Sequence, residues 1–142
     1  MTCDVAIAEI PPPTTAEELE QLKPGIEKMM EAPQVEIKTK SFIHAGIYCR
    51  TCVVPKGVAL AGALIKIPTV VTVSGDAAMT CAGKTVRLKG THIFRASAGR
   101  RQIFVAYEDT VISMAFATSA KTLLEAEAEF TDETDLLMSR GE

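Results

Sequence analysis

The sequence contains no tryptophan, and only 5% of its 142 residues are aromatic. A core organised around large rings is therefore excluded, and Val, Ile, Leu, Ala and Met must fill the interior. It also lacks a surplus of basic residues: the formal net charge is -3, so nothing draws the chain to a nucleic-acid backbone. No apolar run reaches the roughly 18 residues of a membrane span, so no membrane partner is expected. The first residues, MTCDVAIAEIPPP, have no basic stretch, and Asp4 and Glu9 interrupt them. They do not read as a secretory leader, so synthesis and assembly in a cytosol are expected.

Chemical signatures are scarce as well. Cys3, Cys49, Cys52 and Cys81 are expected as reduced thiols in that compartment. Cys49 and Cys52 form a C-x-x-C, but no second pair completes a zinc site. No helix start accompanies it to activate a redox thiol. The surrounding GIYCRTCVV reads as a strand, on which residues three apart face opposite ways. His44 and His92 have no second ligand at metal spacing. There is no G-x-S-x-G elbow and no G-K-[ST] phosphate loop.

What is present divides one domain into four stretches. Residues 1–14 read as an extended arm, with Val5, Ile7 and Ile10 as apolar contacts and Pro11, Pro12 and Pro13 as a stiff end. Residues 15–33 read as helix. Thr15 and Glu18 make a capping box, and Pro24-Gly25 predicts a kink or two short helices. From 34 to 118 short apolar segments alternate with turn signals such as Pro55-Lys56-Gly57, Ser74-Gly75-Asp76 and Gly90. Many short strands without helices between them predict an antiparallel sandwich or barrel. Residues 119–142 return to helix, with Thr131 or Thr134 as a cap for the last turn. The acids Glu125, Glu127 and Glu129 are expected to form a solvated face.

The β region resembles the cupins, a superfamily of jelly-roll barrels. Their first motif runs G, five residues, H-x-H, three or four residues, E, six residues, G. Starting from Gly57, the histidine positions fall on Ala63 and Ile65, the glutamate position on Thr69 or Val70, and the last glycine near Gly75. The second motif opens at Gly90 with Gly99 as its inner glycine, and its histidine position falls on Gln102. The resemblance thus implies a mainly β jelly roll whose metal ligands have been replaced, so neither metal nor cofactor is expected. A second likeness, carried by PQVEIKTKSFIHAGIYCRTCVVPKGV, AYEDTV and EAEAEFTDETDLL, is to small cupin-like proteins of tailed bacteriophages. Some jelly rolls of this size serve phage heads as cement or decoration proteins.

Two functions follow as expectations. The leading one is non-enzymatic: a virion part that stabilises the capsid surface, binding the major capsid protein and a second copy of itself as a homodimer. Its contacts would be the arm and the loop FRASAGRRQ, with Arg95, Arg100 and Arg101 facing acidic groups. The alternative is a metal-free barrel that binds a sugar or organic acid, or acts on it as an isomerase does. Tyr48, Arg50, Gln102 and Tyr107, with Thr69, are the polar candidates for that role. The interior separates the two: a closed apolar core around Ala63 and Ile65 favours the first, a pocket with convergent polar groups the second.

Overall fold

The structure, a computed structural model, describes residues 5–8, 13–81 and 83–137. Among these residues eight strands curl into one sheet: β1 (Val5–Ala8), β2 (Lys38–His44), β3 (Ile47–Val54), β4 (Ala59–Ala61), β5 (Thr69–Cys81), β6 (Lys84–Ala96), β7 (Ile103–Ala106) and β8 (Thr110–Ala117). The main path runs β1-β6-β5-β8-β3-β2, and β7 bridges β5 to β4. All pairings are antiparallel except β1 with β6.

Two turn signals read from the sequence lie inside strands instead. Ser74-Gly75-Asp76 and Gly90 sit within the long hairpin of β5 and β6, where Gly75 pairs with Gly90. Before that pair β5 bonds to β8, and beyond it to β7. The glycine pair is thus a corner at which the hairpin changes neighbours. Gly75 has φ of 148°, and a Cβ there would lie 2.6 Å from Thr110 Oγ1, so only glycine fits.

Inward residues build two apolar clusters. One gathers Val71, Val73, Met79, Leu88, Phe94 and Phe104. The other joins Tyr48 and Phe116 to Phe130, which comes from the helix α2 (Leu123–Phe130), capped by Thr122. Beyond α2, Thr131 Oγ1 accepts from the Glu133 amide, and Thr134–Leu136 form a single 3-10 turn without a side-chain cap.

The N-terminal helix α1 (Ala16–Glu31) carries the expected capping box. It is one helix rather than two, with Pro24 inside it. None of its residues is buried, so water can reach the carbonyl that the proline leaves without its N–H partner. A groove of about 350 Å³ separates α1 from the segment around β4.

Candidate functional site

The barrel interior is not filled. A cavity of about 150 Å³ lies between the two clusters. Ala63 and Ile65 are in its wall, together with Val71, Ile112, Met114 and Phe130. Five polar side chains converge on it: Thr39, Arg50, Cys52, Arg100 and Gln102.

Strand parity explains the first three. On β3 the even residues point inward, and Tyr48 and Val54 are fully buried. Arg50 and Cys52, between them, share that direction. Thr39, paired with Cys52 on β2, belongs to the same row. The Arg50 guanidinium is answered by Glu127 of α2, at 3.7 Å from Nη1 to Oε2. Glu127 is only 3% exposed, which corrects the expectation of a solvated acid face. Glu125 and Glu129 are exposed, but a helical step of about 100° per residue turns Glu127 inward beside Ala126 and Phe130.

Arg100 enters from the loop after β6. Its backbone bridges Ile65, which holds the residue inside, and it is 3% exposed. Nη1 donates to the Ser97 carbonyl at 2.7 Å and Nη2 to Thr69 Oγ1 at 2.6 Å. Both acceptors are neutral, and among the described residues no carboxylate pairs with this guanidinium. Burial pulls Arg100 down to about 10. Burial also pushes the Cys52 thiol up, against a smaller opposing effect of Arg50. A protonated thiol is a poor nucleophile and a poor metal ligand.

The residues present do not fit a metal ion. At the cupin ligand positions Ala63 and Ile65 offer hydrocarbon, and the Thr69 hydroxyl is engaged by Arg100. Gln102 Nε2 donates to the Thr80 carbonyl at 3.4 Å. Two cations face this space, which repels a divalent ion. Among the described residues no three of His, Cys, Asp and Glu come together.

The other sequence candidates scatter. Tyr48 is fully buried in the second cluster, its ring 5.1 Å from Phe116 and 5.6 Å from Phe130, and its hydroxyl donates to Ser41. Tyr107 is outside, exposed, with the Arg87 guanidinium carbon 4.0 Å above its ring. Neither lines the cavity. Val5 and Ile7 lie in β1, which pairs with the chain's own β6. Ile10, Pro11 and Pro12 fall outside the described residues, and Pro13 is exposed. The loop arginines do not form one patch. Arg95 is exposed, Arg100 points inward, and Arg101 pairs with Glu133.

A second surface emerges from strand register. Phe42, Cys49, Ala115 and Val70 form one outward row across β2, β3, β8 and β5. Val53, Val111, Ser74 and Thr91 form another, across β3, β8, β5 and β6. Between them run Thr51, Ser113, Thr72 and Ile93. On β3, β8 and β5 these rows carry no charge. Lys38, Lys40 and Arg95 flank them on β2 and β6. Phe42, Val70 and Ile47 are each more than two-fifths exposed.

Comparison with known proteins identifies the fold. No protein-family model matches the sequence, and no curated protein does. Among solved structures, a cupin superfamily protein from Desulfitobacterium hafniense is 10% identical, with a TM-score of 0.50 over 63% of this chain and 84% of that one. KdgF from Halomonas sp. is 17% identical, with a TM-score of 0.50 over 64% of this chain and 86% of that one. Salicylate 1,2-dioxygenase from Pseudoaminobacter salicylatoxidans is 17% identical, with a TM-score of 0.52, but the match spans 79% of this chain and only 32% of the dioxygenase. The mainly β, cupin-like jelly roll read from the glycine spacing is the fold of the chain.

Proposed function

We propose that this chain is a small-molecule binding protein, a metal-free cupin barrel that holds one compact organic molecule without transforming it. The observation that carries this reading is the open interior: polar groups from β2, β3 and the loop after β6 converge on an apolar cavity of about 150 Å³. An engineered cavity of about that size accepts benzene in another protein, so the occupant is one ring or a short chain. Binding without turnover is the reading that the described side chains favour: burial keeps the Cys52 thiol protonated, Glu127 is paired to Arg50, and no His, Asp or Glu is among the described residues that line the cavity.

The test is calorimetric titration with single-ring and six-carbon compounds, charged and neutral, on the wild type and on Cys52→Leu. The bulkier side chain projects into the same space and leaves both arginines in place. Micromolar to millimolar binding by the wild type, weakened at least tenfold by Cys52→Leu, supports the reading. Failure of every compound to bind removes it.

A second reading rests on the outer sheet face. An exposed face that carries little charge and several apolar side chains marks a surface for contact with another protein. On this reading the chain is a structural part of a tailed-phage particle, paired with a second copy and seated on the major capsid protein as cement. Its supports are the uncharged rows on β3, β8 and β5 and the phage-like segments of the sequence. Mass spectrometry of purified particles tests it: a stoichiometric copy number supports it, and absence from particles removes it.

A further inference from the structure

We propose that the occupant of the cavity is a monocarboxylate with an apolar body, recognised through Arg100 and oriented by Arg50. The inference rests on the small-molecule reading above and adds the chemical class. Among the described residues, two guanidinium groups and no carboxylate line the cavity. Glu127 offsets one of them from behind. The other, on Arg100, is almost wholly buried, and among the described residues it is met only by the neutral oxygens of Ser97 and Thr69. A buried cation without a counter-charge is costly to keep. A single anion entering the cavity would supply that charge, and a second anion would again leave the interior unbalanced.

Geometry narrows the class further. Guanidinium is a planar fork of donors that matches a carboxylate edge. The remaining wall is hydrocarbon, with Val71, Ile112, Met114 and Phe130 around the space, so the body of the ligand is apolar. Inorganic phosphate has the charge but no such body. A neutral amide of the same shape fills the volume but leaves Arg100 without a counter-charge.

The experiment is a charge series of near-identical shape: benzoate, benzamide, benzylamine and inorganic phosphate, titrated calorimetrically at neutral pH. Benzoate is expected to bind at least tenfold more tightly than benzamide, with benzylamine and phosphate showing no binding. Arg100→Gln, shown to be folded by circular dichroism, is expected to abolish the preference for benzoate over benzamide. If Arg100→Gln does not fold, the charge series on the wild type still decides. Equal affinity for benzoate and benzamide would overturn the carboxylate assignment while leaving a neutral-ligand chamber intact. Tight phosphate binding would overturn the apolar body. Absence of binding by all four, and by the neutral and six-carbon compounds of the wider set, would remove the small-molecule reading itself.

Discussion

Arg50 on β3 and Glu127 on α2 form an ion pair in the barrel wall, with side chains 15% and 5% exposed. The pair ties the C-terminal helix to the sheet and fixes the direction of the guanidinium that faces the cavity. Removing one partner of a buried pair leaves the other charge without compensation. Glu127→Gln is therefore expected to lower stability by about 3 kcal/mol. Glu125→Gln, on the exposed side of the same helix, is expected to cost no more than about 0.5 kcal/mol. Urea denaturation of both variants checks this, and equal losses would contradict it.

The corner of the long hairpin makes a second prediction. An alanine Cβ at Gly75 would lie 2.6 Å from Thr110 Oγ1 and 2.8 Å from the Asp109 carbonyl. Gly75→Ala is expected to cost roughly 3 kcal/mol or to prevent folding. Gly25, inside α1, has nothing within 4 Å of its Cβ position, so Gly25→Ala is expected to stabilise by about 0.5 to 1 kcal/mol. Thermal unfolding of the pair gives opposite signs if the corner is as described.

Acid stability should depend on Asp76. Its carboxylate accepts from Arg87 Nε at 2.6 Å and Nη2 at 2.9 Å. That hydrogen bonding holds its pKa below the usual carboxylate range, against a smaller effect of burial. The folded pKa is below the unfolded one, so the unfolded state binds more protons as pH falls. The contribution is complete above the unfolded value of about 3.9 and disappears as pH drops through the folded value. The stability gap between wild type and Asp76→Asn is expected to be largest at about pH 7 and to close toward about pH 2. Denaturation curves at several pH values measure it, and a constant gap would contradict the assignment.

The outer sheet face predicts self-association. Five strands about 4.8 Å apart and about 25 Å long present roughly 600 Å². Two such faces would bury roughly 1,200 Å², at the lower limit of a stable interface. The wild type is expected to sediment as a dimer at micromolar concentration, and Val70→Lys with Val111→Lys as a monomer with the same circular dichroism spectrum. A monomeric wild type would take the interface away from the structural reading.

The sequence made the barrel legible because glycine spacing and strand alternation are local signals. It also placed Ala63 and Ile65 where the cupin motif, which the sequence resembles, has metal-binding histidines. It could not show that the interior beside them stays open, since that depends on how residues distant in sequence, such as Val71, Met114 and Phe130, pack around the space. Arg50 and Gln102 were recoverable from polarity near the positions that match the cupin motif's ligands, but Tyr48 and Tyr107 look equally polar on paper. Only burial separates a core tyrosine from one stacked on the surface. Glu127 was hidden in a run of acids. Its neighbours Ala126 and Phe130, spaced to share one helix face, were the signal that the run had an inward side. Gly75 and Gly90 misled because a strand corner and a turn use the same residue for the same conformational freedom.

The most direct test of the account is methyl nuclear magnetic resonance of the full chain during titration with benzoate. Saturable shifts at Ile65, Ile112 and Met114, with Val70 and Val111 on the outer face unmoved, are the result predicted. Unchanged interior methyls at saturating benzoate, or shifts confined to the outer face, would contradict a carboxylate chamber inside the barrel.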